Sequence, residues 1–167
     1  MLNLIAILIA ALMTTTVTVP INATVDDPAA STEIRNPWID CQDDMEMAVE
    51  KAGFDFEIFP LSNYTVSVIP DTMIQVKYPR NEFESIVIRK SPIVPESGDI
   101  SGDFTKYPET DTLEIGGVEV EVRKDGDLIY AASFAAFDGA YSVSCSAGMT
   151  EAEVTSILEE LLEANSK

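Results

Sequence analysis

The densest run of side chains able to do chemistry is Glu96 to Phe104, ESGDISGDF, with Glu109 and Asp111 just beyond it. Clustered carboxylates on a glycine-containing loop suit calcium, a hard cation that takes six to eight oxygen ligands. Asp99, Asp103, Glu109 and Asp111 are the candidate ligands. Their spacing is not that of an EF-hand loop, which needs a glutamate at its twelfth position. The other reading, and the preferred one, is a solvated acidic loop pinned by Arg89 and Lys90, two of only ten basic side chains. As a binding surface the same stretch offers Asp99, Ser101, Asp103, Phe104 and Tyr107 beside Arg89 and Lys90. An exposed aromatic at Phe104 or Tyr107 would mark a contact patch.

Catalysis finds less support. The chain has no histidine, which removes the commonest general base, the usual triad base and the commonest zinc ligand together. Paired carboxylates remain, since 29 acids always offer some. Glycoside hydrolysis needs two of them about 5–10 Å apart across a sugar cleft. No acid here is distinguished from its neighbours, aromatics are 8% and Trp38 stands alone. Ser142, Ser144 and Ser146 lack a G-x-S-x-G elbow and read as strand polarity. Gly116-Gly117 lies between strands rather than opening a helix, so it is not a phosphate loop. No catalytic residue is named, and no cofactor beyond calcium. Cys41 and Cys145 are either one disulfide, closing a loop for about 4–5 kcal/mol in an oxidising compartment, or two buried inert thiols.

A formal charge of −19 disfavours nucleic acid and anionic membrane surfaces, both of which need basic patches. Residues 1–25 carry no charged side chain, and Leu4 to Met13 is an unbroken apolar run. This predicts a signal peptide or an uncleaved N-terminal anchor over 1–23, the one route to a membrane. Residues 24–35 (TVDDPAASTEIR for the whole stretch) read as a polar linker, and 36–165 as one domain.

Within that domain, Met45, Ala48, Val49 and Ala52 follow helical spacing after a cap at Asp40 or Asp43, with Gly53 as the stop. Period-two texture then predicts strands over 56–59, 65–69, 73–78, 85–90, 112–115, 118–123, 128–135 and 141–146. Gly116-Gly117, Asp125-Gly126 and Asp138-Gly139 are tight-turn chemistry, so a meander of hairpins is the economical topology. Tyr141, Val143 and Cys145 should face inward. Thr150 and Glu153 make a capping box ahead of an apolar stripe, Val154, Ile157, Leu158, Leu161 and Leu162. The fold class is therefore α+β: a twisted antiparallel sheet of about seven or eight strands, with an N-terminal and a C-terminal helix packed on one face.

Several landmarks carry a family resemblance: Asn36-Pro37, Ala52-Gly53-Phe54, Ile88-Arg89-Lys90, Asp99 to Asp103, Tyr107, Gly117, Asp138 to Ser142 and Gly148-Met149-Thr150. Over essentially all of 36–165 the chain resembles the bacterial extracytoplasmic family called domain of unknown function 4367. The resemblance implies a secreted or membrane-anchored protein of Gram-positive type, with an antiparallel sheet and flanking helices, and it supplies no activity or catalytic residues. The expectation is a non-catalytic extracytoplasmic binding or sensing domain for a protein, peptide or envelope polymer. Its surface would be the uncovered sheet face plus the 96–111 loop. A secreted carboxylate-dependent hydrolase and a structural interaction domain of an envelope complex are the alternatives.

Overall fold

Two capped helices and eight strands make up the described residues of the computed structural model, 36–60, 62–137 and 139–166. The expected leader or anchor (1–23) and the linker (24–35) lie outside these residues, as does Asp138 of the Asp138-Gly139 turn. No helix among the described residues is long and apolar enough to cross a membrane.

Helix α1, Met45–Ala52, spans the predicted apolar positions, but neither Asp40 nor Asp43 caps it. Its cap is Asp44, whose side chain accepts from the Met47 amide at 2.8 Å. Asp40 instead accepts from the Gln42 amide, turning the chain out of a two-residue strand, β1 (Ile39–Asp40). Gly53 closes α1 in the left-handed conformation, as its position predicts. Helix α2, Glu151–Asn165, opens on the predicted capping box of Thr150 and Glu153, and buries Val154, Leu158, Leu161 and Leu162.

The remaining strands are β2 (Thr65–Ile69), β3 (Met73–Pro79), β4 (Ser85–Ser91), β5 (Glu109–Ile115), β6 (Val118–Asp125), β7 (Leu128–Ala136) and β8 (Gly139–Met149). They form one antiparallel sheet in the order β1-β2-β3-β4-β8-β7-β6-β5. Residues 56–59 form no strand. Phe56 is nonetheless buried, its ring 6.4 Å from that of Tyr141, so its apolar signal reflects packing from a loop. The predicted single meander is corrected at one joint. Two four-strand meanders meet where β4 pairs with β8, and β5 lies at the far edge. The cause is the connection over 92–108, which lacks two-residue turn chemistry and is long enough to cross the sheet.

Alternation sets the two faces. Ile86, Ile88 and Lys90 of β4 stand opposite Cys145, Val143 and Tyr141 of β8, while Val87 and Arg89 stand opposite Ser144 and Ser142. Lys90 apart, the first set joins one hydrophobic cluster that also takes in Ile74, Val76, Val120 and Val122, Ala48 and Ala52 of α1, and the four buried residues of α2. Cys145 points inward as expected. A disulfide is overturned: both cysteines are free and buried. The Cys41 amide bonds to Val66 of β2, whereas Cys145 lies on β8, with β3 and β4 between. Three strand spacings are about 14 Å, twice the reach of a disulfide at about 7 Å between Cα atoms. Burial pushes the Cys41 thiol above its ordinary range.

Candidate functional site

The ESGDISGDF run is a clasped crossing. Each alternate residue accepts a hydrogen bond from the amide two positions on: Ser97 from Asp99 (3.4 Å), Asp99 from Ser101 (2.7 Å), Ser101 from Asp103 (3.1 Å) and Asp103 from Thr105 (2.9 Å). Successive side-chain turns of this kind give a non-helical, non-sheet segment its hydrogen bonds locally. Gly102 supplies a left-handed residue within it, and a Cβ there would collide with the Arg89 guanidinium.

Two arginines hold the crossing to the sheet. Arg89 of β4 donates from Nε and Nη2 to Gln75 Oε1 (2.9 and 2.7 Å) and from Nη1 to the carbonyls of Ile100 (3.1 Å) and Ser101. Its guanidinium lies 5.7 Å from the Trp38 ring centre. Arg123 of β6 donates to the Asp103 carbonyl and to Ser101 Oγ, both at 2.6 Å, and pairs with Asp99 Oδ2 at 3.1 Å. Ser133 of β7 donates to Asp99 Oδ1 at 3.0 Å. Burial alone would raise the Asp99 carboxyl, but the bonds from Ser101 and Ser133 and the Arg123 charge outweigh it and hold it below the usual range. Asp103 is held low in the same way: burial is outweighed by Tyr107, Thr105 and Arg123. Burial lowers Arg89, with Asp99 opposing.

Of the predicted pinning pair, Arg89 does the pinning and Lys90 does not. Adjacent strand residues point to opposite faces, and Lys90 is buried on the other one, its Nζ donating to the Asp55 carbonyl at 2.7 Å and 5.4 Å from the Tyr141 ring centre. Arg123, which the sequence reading passed over, takes the second place. The four calcium candidates fall into two sets. Asp99 and Asp103 belong to the clasp, while Glu109 and Asp111 lie on edge strand β5 beside Lys124 Nζ (3.9 and 3.0 Å). Among the described residues no group of three or more His, Cys, Asp or Glu side chains is placed to hold a metal ion. Tyr107 is partly buried, stacked on Tyr130 with centroids 4.7 Å apart, and donates to Asp103 Oδ2 at 2.6 Å. Phe104 is 94% exposed.

Beside the crossing runs an open groove of about 750 Å³. Ser85, Val87, Ser144 and Ser146 line it from β4 and β8, Ser101 to Pro108 (Phe104 excepted) from the crossing, and Lys77 and Phe83 from the β3–β4 hairpin. Phe83 is 89% exposed. The groove's charged lining is Lys77, Arg89 and Lys106 against Asp103 and Asp125. The side chains of Lys77 and Lys106 are exposed and have no hydrogen bond or ion pair among the described residues. Two further hollows have the opposite balance: Glu46, Asp55 and Glu57 against Lys90 in one, and Asp111, Asp127 and Glu151 against Lys124 in the other. Lys77, Phe83 and Lys106 were not legible as site residues, because only the β3–β4–β8 register and the path of the crossing bring them together.

Comparison with protein-family profiles, curated proteins and solved structures returned no match.

Proposed function

We propose that the chain is an exported, non-catalytic binding or sensing domain whose ligand surface is the groove between the 101–108 crossing and the β3–β4 hairpin. In this reading both helices cover one face of the sheet and the ligand meets the other. One observation carries it: a groove with net positive lining in a chain of charge −19, with the exposed ring of Phe83 in its wall. Exposed aromatics beside a concave polar surface are the usual anchors of recognition. The carboxylates there suit binding better than acid–base work. Asp103 is held ionised by its partners, which makes it a weak proton donor at neutral pH. Export through residues 1–23, in a bacterium of Gram-positive type, rests on the N-terminal run and on the resemblance to domain of unknown function 4367. The partner would then be a protein, a peptide or an envelope polymer.

The test is a titration of ¹⁵N-labelled protein, full chain, with solubilised Gram-positive cell-wall polymer and separately with a mixture of short peptides. Amide shifts clustered at Lys77, Phe83, Ser101–Tyr107 and Ser144 are the expected result. Shifts elsewhere only, or none with either material, would overturn the site. Cleavage of the added polymer would replace binding with the hydrolase reading.

A further inference from the structure

We infer that the groove takes an extended acidic peptide that also carries apolar side chains. This deepens the reading just given and rests on it. The argument begins with what the groove leaves available. Arg89, the only guanidinium in its lining, has Nε, Nη1 and Nη2 all engaged by Gln75 and the crossing carbonyls. A bidentate fork for phosphate or carboxylate is therefore not on offer. What remains are two point charges on flexible stems, Lys77 from the sheet and Lys106 from the crossing, each without an ion pair among the described residues. Two separated ammonium groups match carboxylates spaced along an extended chain.

Charge is only half of the pattern. Phe83, in the groove wall, and Phe104, in the crossing but outside the lining, expose almost their whole rings. A polyphosphate-like chain would use the lysines and leave both rings in water. A neutral glycan would use the rings and leave both lysines unanswered. A peptide with acidic and apolar residues uses both sets, and its amides have serine hydroxyls to meet at Ser85, Ser144 and Ser146. The volume, about 750 Å³, lies in the range of sites that bury a drug-sized ligand or a short peptide stretch. The wider charge of −19 slows the approach of an acidic partner, but beyond about 8 Å it is screened at physiological salt.

The experiment is fluorescence anisotropy of the full-length protein with three fluorescein-labelled probes: a hexapeptide alternating aspartate and phenylalanine, a hexa-aspartate peptide, and a short polyphosphate. The alternating peptide should bind at least tenfold more tightly than the other two. The K77E/K106E double variant should lose that binding at least tenfold, and F83A/F104A about threefold to tenfold. All four positions are exposed, so an unchanged melting temperature confirms that these variants are folded. Equal binding of hexa-aspartate or polyphosphate would overturn the peptide assignment in favour of a general anion site. Binding that survives both double variants would overturn the location. If no probe binds while wall polymer still shifts the groove amides, the ligand class is wrong and the site stands. If neither does, the proposed function falls with it.

Discussion

Arg89 and Lys90 are neighbours in sequence and live in different chemistries. Lys90 is sealed into the apolar side, beside the Tyr141 ring and the Asp55 carbonyl, where it closes the end of the core. Arg89 lies on the other face among serines, Gln75, Trp38 and the carbonyls of a crossing loop. One face is held by area removed from water, the other by charge-assisted hydrogen bonds to a segment with no regular structure. The first kind of contact is strong and shared by the whole domain. The second is local, and its loss need not spread. That difference is why the ligand surface is proposed on the polar face, where a groove can adjust without disturbing the core.

The comparison is broken most severely from the core side. Leu158→Ala removes a side chain with no exposure at all and should destabilise by about 2–5 kcal/mol. Urea unfolding followed by circular dichroism would show it as a lower midpoint with an unchanged slope. A cost under 1 kcal/mol would mean that α2 is not part of the common core.

A smaller and pH-dependent effect is expected on the polar face. The folded-state pKa of Asp99 is depressed, so its contribution is complete above the unfolded value of about 3.9 and disappears as pH falls through the folded value. Its pair with Arg123 is partly solvated, so Asp99→Asn should cost about 1 kcal/mol or less near neutrality. Melting temperatures of the two proteins should differ at pH 6 and converge below about pH 4. A gap that widens on acidification would refute the clasp.

Both helices, the Gly53 stop, the capping box of α2 and the inward face of β8 could be read from residue types alone, because capping, helical spacing and alternation are local rules. The N-cap of α1 was misread, since three aspartates compete there and Asp44 wins. The pairing of β4 with β8 could not, since it depends on where a long connection lands. The same limit governs the site. Arg89 and Asp99 were visible as a basic residue near an acidic loop, but Arg123 lies over twenty residues downstream of Asp99 and meets it only through the crossing. Lys90 was misplaced for a more instructive reason. Period-two alternation within the predicted 85–90 strand already separates it from Arg89, and treating the pair as one basic patch ignored the pleat. The serines of ESGDISGDF carried a signal too: acceptors at every second position are the pattern of successive side-chain turns.

The smallest expected effect tests the polar face most directly. Ser142 is fully buried between Arg89 and Ser133 in the ladder, and its Oγ has no hydrogen-bond partner among the described residues. A hydroxyl in that position has lost its water without gaining a bond, a cost that alanine does not carry. Ser142→Ala should therefore leave stability unchanged or raise it by up to about 1 kcal/mol, read from the same urea midpoint. The neighbouring Ser133→Ala should lower it, because Ser133 donates to Asp99 and its loss leaves that carboxylate one donor short. Opposite signs for two buried serines on one face would show that the face is selected bond by bond around the crossing. Equal losses at both would mean that Ser142 is bonded as well, and that polarity alone, regardless of partner, holds the segment down.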